Sequence, residues 1–152
     1  MSNRVNHPQH YQGANGVECI EVIRHYTCDI ANAIKYLWRA GLKPEQGMDD
    51  AEKEIEDLEK ALVYIDDYRQ HHSTMHVLIQ TNALPRRVRK VTGYTVEQIV
   101  SGYPKPIADA MTLLLVVGII DAGKVYTNIC WDINLQQATN AIQQRIAELS
   151  GK

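Results

Sequence analysis

Two stretches of the chain carry apolar residues at helical spacing, and they limit how its N-terminal half can fold. In residues 29–40 one helix face collects Ile30, Ala33, Ile34 and Leu37. In residues 50–69 the corresponding face collects Ala51, Ile55, Leu58, Leu62 and Ile65. Gly41 and Pro44 end the first stretch. The sequence therefore predicts two amphipathic helices that bury these faces.

A polar arm and a short helix precede this pair. Residues 1–16 contain Pro8, Gly13 and Gly16 among polar side chains, which is typical of a loop or extended arm. Residues 17–26 fit a short helix, and Asp29 is placed to cap the helix that follows. We therefore predict a helical N-terminal module over residues 1–72.

Both amphipathic helices carry charged and aromatic side chains opposite the apolar face. The first presents Asn32, Lys35, Tyr36 and Arg39, and the second presents Asp57, Lys60 and Tyr64. Lys35 and Arg39 lie one turn apart, and an ammonium beside a planar guanidinium suits a phosphate group. Tyr36 or Trp38 could stack on a base. A plain solvated surface is the alternative, with Arg39 paired to an acid of the second helix such as Asp57, and periodicity does not choose between the two.

Four short motifs follow one another in the first part of the chain. They are NHPQHY at 6–11, GVECIEVI at 16–23, NAIKYLWRAGLK at 32–43 and DLEKALVYID at 57–66. Together they resemble a small phage-encoded family whose members are mostly of unknown function and include a phage nucleotide kinase. The resemblance covers about residues 5–68, less than half of the chain.

The resemblance implies a phage accessory protein that phosphorylates deoxynucleoside monophosphates such as dTMP and dGMP without a P-loop. The chain has no GxxxxGK[ST] motif, in agreement with this. Catalytic roles would belong to Asp57 and Lys60, with Asp57 holding Mg²⁺ or orienting a hydroxyl and a nucleoside triphosphate as donor. The implied nucleotide-binding residues are His7, His10, Tyr11, Asn32, Lys35, Tyr36, Arg39, Lys43 and Tyr64.

Other functions fit parts of the same sequence. A non-catalytic protein could use the same cations to sequester a nucleotide, for example a host defence signal. The acid-rich residues 49–59 resemble the metal-binding helices of all-α nucleotide pyrophosphatases, but one helix alone supplies the acids. His7 and His10 have no third metal ligand nearby. The three cysteines lack CxxC spacing and indicate reduced thiols.

The second half of the chain predicts a different module, residues 73–152. A helix at 73–84 is followed by the basic run 86–90, a short helix capped by Thr95 and a helix opened by Pro106. A turn at 121–123, a strand at 125–131 and a last helix capped by Asn134 complete it. This order is typical of a winged helix. The fold class is therefore mainly α, with a helical module and a winged-helix-like module containing a short β-hairpin.

Charge and hydropathy limit the partners. Residues 1–76 carry eight basic and thirteen acidic side chains, whereas residues 77–152 carry eight and five. A winged-helix regulator is a further possibility, but the outward face of the helix at 106–118 carries Asp109 and small groups, so specific DNA binding is not expected. We expect homo-oligomers through the C-terminal module, or a host protein docked there. No apolar run or N-terminal signal indicates a membrane or export, so a cytoplasmic location is expected, in the host if phage-encoded.

Overall fold

Most of the chain is helical, with one small sheet. The computed structural model describes residues 3–13, 16–72 and 76–151. Its helices are α1 (Asn3–Asn6), α2 (Cys19–Ile23), α3 (Cys28–Arg39), α4 (Asp50–His71), α5 (Leu84–Thr92), α6 (Val96–Val100), α7 (Lys105–Leu114) and α8 (Trp131–Leu149). Its strands are β1 (His76–Ile79), β2 (Ile119–Asp121) and β3 (Lys124–Asn128). The mainly helical class and the hairpin of β2 and β3 are confirmed.

The N-terminal arm is more ordered than a loop. It contains α1 and a 3₁₀ turn at Gln9–Tyr11, and Gln12 pairs with Glu18 at the start of α2. Helix α2 covers Cys19–Ile23, with Arg24 as its C-cap, and is shorter than the predicted helix at 17–26. This places the arm beside α2 and α3.

Helix α3 buries the predicted face. Its four apolar residues, Ile30, Ala33, Ile34 and Leu37, are fully buried. The prediction that Asp29 caps the helix is wrong: Thr27 is the N-cap, and Asp29 lies in the first turn, where a carboxylate favours the helix dipole.

Helix α4 starts with a capping box at Asp49. The Glu52 backbone N–H donates to the Asp49 carboxylate, and the Asp49 backbone N–H donates to the Glu52 carboxylate. Its buried face differs from the predicted stripe. Leu58 and Ile65 are buried, but Ala51, Ile55 and Leu62 are only half-buried. In their place α4 buries Lys53, Glu54, Asp57, Ala61 and Tyr68. The face is rotated because α4 packs against α3 on one side and α8 on another.

The sheet has the order β1-β3-β2. Strand β1 is parallel to β3, with Leu78 opposite Thr127, and β2 is antiparallel to β3, with Ile120 opposite Val125. The predicted helix at 73–84 is wrong over 76–79, which form β1, while 73–75 lie outside the described residues. The next helix, α5, begins only at Leu84, with Pro85 in its first turn.

The C-terminal end of the chain also differs in detail. Strand β3 ends at Asn128, and α8 begins at Trp131, so Asn134 is not its cap. Asn134 instead lies nearly buried and donates to the Leu113 carbonyl oxygen at 3.4 Å. The apolar residues Leu135, Ala138 and Ile142 of α8 are fully buried, and α8 packs against α7 and α4 of the same chain.

Residues of both predicted modules contribute to one hydrophobic cluster. Tyr26 donates its hydroxyl hydrogen to the Leu115 carbonyl oxygen at 2.6 Å, and Tyr103 donates to the Trp38 carbonyl oxygen at 3.0 Å. Helix α4 also contacts α8 through an ion pair between Glu54 and Arg145 at 2.7 Å. The core therefore lies between α3, α4, α7 and α8. Within the described residues, no helix is long and apolar enough to cross a membrane.

Candidate functional site

A buried ion pair joins α3 to α4 at the centre of the predicted site. The Arg39 Nε and Nη2 atoms donate to Asp57 Oδ1 at 3.1 and 2.8 Å, and Lys53 Nζ lies 3.3 Å from the same oxygen. Asp57 is fully buried and Arg39 is only 7% exposed. The expectation that Arg39 projects freely from the helix surface is therefore wrong.

The second oxygen of Asp57 is an exception to this pairing. Oδ2 is buried, and no described residue forms a hydrogen bond with it. A buried carboxylate oxygen without a partner is costly, so the cations on Oδ1 have to offset its desolvation. This explains why α4 buries the Lys53 side chain.

Arg39 also holds the N-terminal arm. Its Nη1 donates to the Tyr11 hydroxyl oxygen at 3.3 Å, and the His10 ring lies 4.3 Å from the Tyr11 ring. Burial, followed by the positive charges of Lys43 and Arg39, lowers the pKa of His10, while Asp57 acts in the opposite direction. The arm thus places a neutral imidazole beside two cations at neutral pH.

His7 anchors the arm at a second point. Its Nδ1 lies 2.7 Å from Glu18 Oε1 at the start of α2, and Gln12 Nε2 donates to the His7 carbonyl oxygen at 3.0 Å. His7 is therefore separate from the Arg39 pair and connects the arm to the start of α2.

Tyr36 is surrounded by cations. Its ring centre lies 4.5 Å from the Arg39 guanidinium, 4.8 Å from Lys35 Nζ and 5.7 Å from Lys60 Nζ. Tyr64 stacks against it with ring centres 5.8 Å apart. The negative ring face attracts these charges and holds them together. We call Lys35, Tyr36, Arg39 and Lys60, together with Lys43, whose charge acts on His10 of the arm, the cationic cluster.

The cations of the cluster differ in how they are paired. Arg39 is bound to Asp57, and Lys60 contacts Glu56. In the part of the chain that the structure describes, neither Lys35 nor Lys43 forms an ion pair with a carboxylate. The cluster therefore presents two ammonium groups that are available to an anion.

Two of the predicted side chains face elsewhere. Asn32 donates to the Cys28 carbonyl oxygen at 2.9 Å within its own helix. Trp38, considered as a stacking surface for a base, is fully buried with its ring edge toward Tyr103. Burial inside the core excludes Trp38 from contact with a ligand.

A cavity of about 190 Å³ opens between the arm, α2 and α3. Its apolar walls include Pro8, Tyr11, Cys19, Ile20 and Ile23. His7, Gln12, Glu18 and Lys35 supply its polar lining. The residues of α2 lie in the motif at 16–23, but their side chains were not assigned to the site. Only the folded arm shows that they line a cavity.

The implied Mg²⁺ ion does not fit Asp57. The carboxylate is fully buried and already held by Arg39 and Lys53, so a metal ion would have to displace two cations from it. No group of three or more His, Cys, Asp or Glu residues within the described ranges is arranged to hold a metal ion. We therefore derive no step through a metal at this residue.

Comparison with known proteins finds a family match for part of the chain. Residues 5–66 match the family DUF3310, described as a protein of unknown function. The matched segment runs from the arm to α4 and contains every predicted site residue, from His7 to Tyr64. No curated protein and no solved structure matches the chain.

Proposed function

We propose that the protein binds a nucleotide through its phosphate group at the cationic cluster. The observation that carries this proposal is the set of three cations around the Tyr36 ring, of which Lys35 has no carboxylate partner in the described chain. A phosphate offers several strong acceptor oxygens and negative charge to such a surface. Lys43, which also lacks a carboxylate partner among the described residues, adds a further positive charge that acts on His10.

Arg39 supports this surface from beneath. Three of its nitrogen atoms are engaged, two with Asp57 and one with Tyr11. We propose that it positions Tyr36 and Tyr11 and contributes its charge, while the lysines contact the phosphate. An ammonium on a flexible stem can reach a phosphate without leaving a buried partner unpaired.

Phosphoryl transfer from a nucleoside triphosphate is the second candidate, and it rests on the sequence resemblance. Lys60 lies where it could neutralise charge on a transferred group. Asp57 is buried beneath Arg39, so a catalytic role for it would require the arm and Arg39 to move. The geometry thus supports binding, with or without turnover, more directly than it supports kinase chemistry.

A winged-helix regulator is less well supported. The order α5, α6, α7, β2, β3, α8 agrees with that proposal. However, Asp109 on the outward face of α7 pairs with Lys105 at 2.5 Å. In the basic run on α5, Arg87 and Lys90 both form ion pairs with Asp121. Two of the four cations in this run are therefore neutralised within the chain and are not available to the phosphates of a duplex.

The proposal predicts that Lys35→Ala weakens nucleotide binding without weakening the fold. Loss of one charge-assisted bond should cost about 1.5–3 kcal/mol, which is about 10- to 150-fold in affinity. Dissociation constants for dTMP, dGMP and cyclic nucleotides can be measured by calorimetry, and mass spectrometry of the same mixtures identifies any converted species. Thermal unfolding should be unchanged, since Lys35 forms no ion pair in the described chain.

Lys105→Ala is the matched control, because Lys105 is also a helix lysine and lies outside the site. Its nucleotide affinity should equal that of the unmodified protein. Equal affinity in Lys35→Ala, or no binding of any nucleotide in the panel, would contradict the proposal. Appearance of di- or triphosphates would decide in favour of transfer over sequestration.

A further inference from the structure

We infer that the cavity between the arm and α2 receives the base of the bound nucleotide. This inference rests on the nucleotide binding proposed above and adds the place and the chemistry of base recognition. It follows from the lining of the cavity, its continuity with the cationic cluster and its size.

The lining suits a flat, weakly polar ring. Ile20 and Ile23 of α2 face Pro8 and Tyr11 of the arm across the cavity. Burial raises the pKa of the Cys19 thiol to about 12, with the Lys35 charge acting against it, so this wall is uncharged at neutral pH. Ligand sites in proteins combine such apolar walls with a few polar groups that fix orientation.

Two residues belong to both the cavity and the surroundings of the cationic cluster. Lys35 lines the cavity, and its Nζ lies 4.8 Å from the Tyr36 ring centre. Tyr11 lines it too, and its hydroxyl oxygen accepts a hydrogen bond from Arg39. Because Lys35 belongs to both, a ligand whose ring lies in the cavity can place its phosphate on Lys35.

The size of the cavity assigns it to one part of the ligand. At about 190 Å³ it is smaller than the ~300–1,000 Å³ of sites that enclose a whole drug-sized molecule. The base would fill it, while sugar and phosphate remain at the mouth beside Lys35. Gln12 in the lining donates through Nε2 to the His7 carbonyl oxygen, and its amide oxygen can accept a hydrogen bond from the edge of the base.

Calorimetry can separate this inference from the proposed function if nucleotides are compared with 2-deoxyribose 5-phosphate, which lacks a base. The unmodified protein should bind dTMP or dGMP at least 10-fold more tightly than the sugar phosphate. Ile20→Trp should remove this preference by placing bulk at the cavity, and should leave affinity for the sugar phosphate unchanged. Ile20 is 53% exposed, so the larger side chain does not have to enter the core.

Ile133→Trp is the control, since Ile133 is 57% exposed on α8 and does not line the cavity. Methyl NMR of the unmodified protein gives a second measurement that needs no variant. The Ile20 and Ile23 methyl signals should shift with dTMP, because a base ring lies against them, and should stay in place with the sugar phosphate.

The outcomes are distinct. Equal affinity for nucleotide and sugar phosphate, without methyl shifts at Ile20 and Ile23, would overturn the base site and leave phosphate binding intact. Absence of binding by all of these compounds would overturn both. Nucleotide preference that persists in Ile20→Trp, with methyl shifts elsewhere, would place the base outside this cavity.

Discussion

At the scale of single residues, the ion pair between Arg39 and Asp57 links folding to the proposed site. One guanidinium binds a buried carboxylate, the Tyr11 hydroxyl and the face of Tyr36. A buried ion pair stabilises a fold no more than well-packed apolar side chains of the same size would. Removing one partner, however, leaves the other charge buried and unpaired. The role of the pair is to fix the arm and Tyr36 in one arrangement.

Arg39→Ala is therefore expected to destabilise the fold strongly. Loss of one partner of a buried pair lowers the free energy of unfolding by about 3–5 kcal/mol. We expect a value toward the lower end, because Lys53 still pairs with Asp57. Urea denaturation at pH 7 measures this free energy of unfolding. Asp57→Asn introduced together with Arg39→Ala should recover part of the loss, because the amide carries no charge to bury.

Arg86→Ala provides the control, since Arg86 is exposed on α5, and its change should stay within about 0.5 kcal/mol. If Arg39→Ala keeps its stability but loses nucleotide affinity, Arg39 contacts the ligand directly and is not the support described above.

At the scale of elements, the contact between the start of α3 and the end of α4 depends on pH. Burial, a hydrogen bond with Asp67 and the charge of Asp67 raise the pKa of Asp29 to about 6, with His71 opposing them. The folded chain therefore binds a proton more readily than the unfolded chain between about pH 3.9 and 6. Asp29 therefore lowers the free energy of unfolding as the pH rises through that window.

Asp67→Asn should remove much of this loss. The amide takes away the repelling charge, and it also removes a negative charge from the C-terminal end of α4, where the helix dipole disfavours it. The melting temperature of Asp67→Asn relative to the unmodified protein should rise between pH 4.5 and 7.5. The exposed pair of Asp67 with His71 adds little.

Asp66→Asn is the neighbouring control, because Asp66 is exposed on the same turn and has no ion pair within the described residues. A difference for Asp67→Asn that stays constant across this pH range would show that Asp29 and Asp67 do not share a proton.

The same scale shows how far the sequence predicts this structure. The apolar face of α3 follows from spacing alone because all four of its residues pack into the core. The buried face of α4 does not follow from spacing. Glu54 is buried because it forms an ion pair with Arg145 of α8, and Lys53 is buried because it contacts the Asp57 carboxylate. Spacing identifies apolar residues but not the partners that allow a polar residue to be buried.

Strand β1 was missed for a related reason. Its four residues, HVLI, show no alternation of polar and apolar side chains, and they form a strand because β3 pairs with them from far along the chain. Most of the side chains that the motifs named lie near one another around Tyr36 and Arg39, and their role in binding stays a prediction. The cavity was not predicted, because it forms only when the arm is placed on α2.

At the scale of the whole molecule, the two predicted modules share contacts that separate domains rarely have. The arm and helices α2 to α4 carry the proposed site, while α7 packs against α3 and α8 packs against α4. Homo-oligomers through residues 73–152 stay a prediction. They would require a surface other than Leu135, Ala138 and Ile142, which face the core of the same chain.

Tyr26→Phe tests whether the two segments unfold together. The Tyr26 hydroxyl donates to the Leu115 carbonyl oxygen at 2.6 Å, and both residues are buried. Without this donor the carbonyl is left unsatisfied, which costs about 1–3 kcal/mol. Tyr26 belongs to residues 1–72 and Leu115 to residues 73–152. If the two segments unfold together, the substitution should lower the free energy of unfolding equally for both.

Hydrogen exchange of the α3 and α7 amides measures the two segments separately in the intact protein. We expect Tyr26→Phe to lower protection in both helices by the same factor and to keep a single thermal transition. Tyr64→Phe is the control: Tyr64 stacks on Tyr36 at the half-buried surface of α4, and loss of its hydroxyl should change neither helix. Lower protection in α3 with unchanged protection in α7 would mean that residues 1–72 and 73–152 unfold as two independent domains.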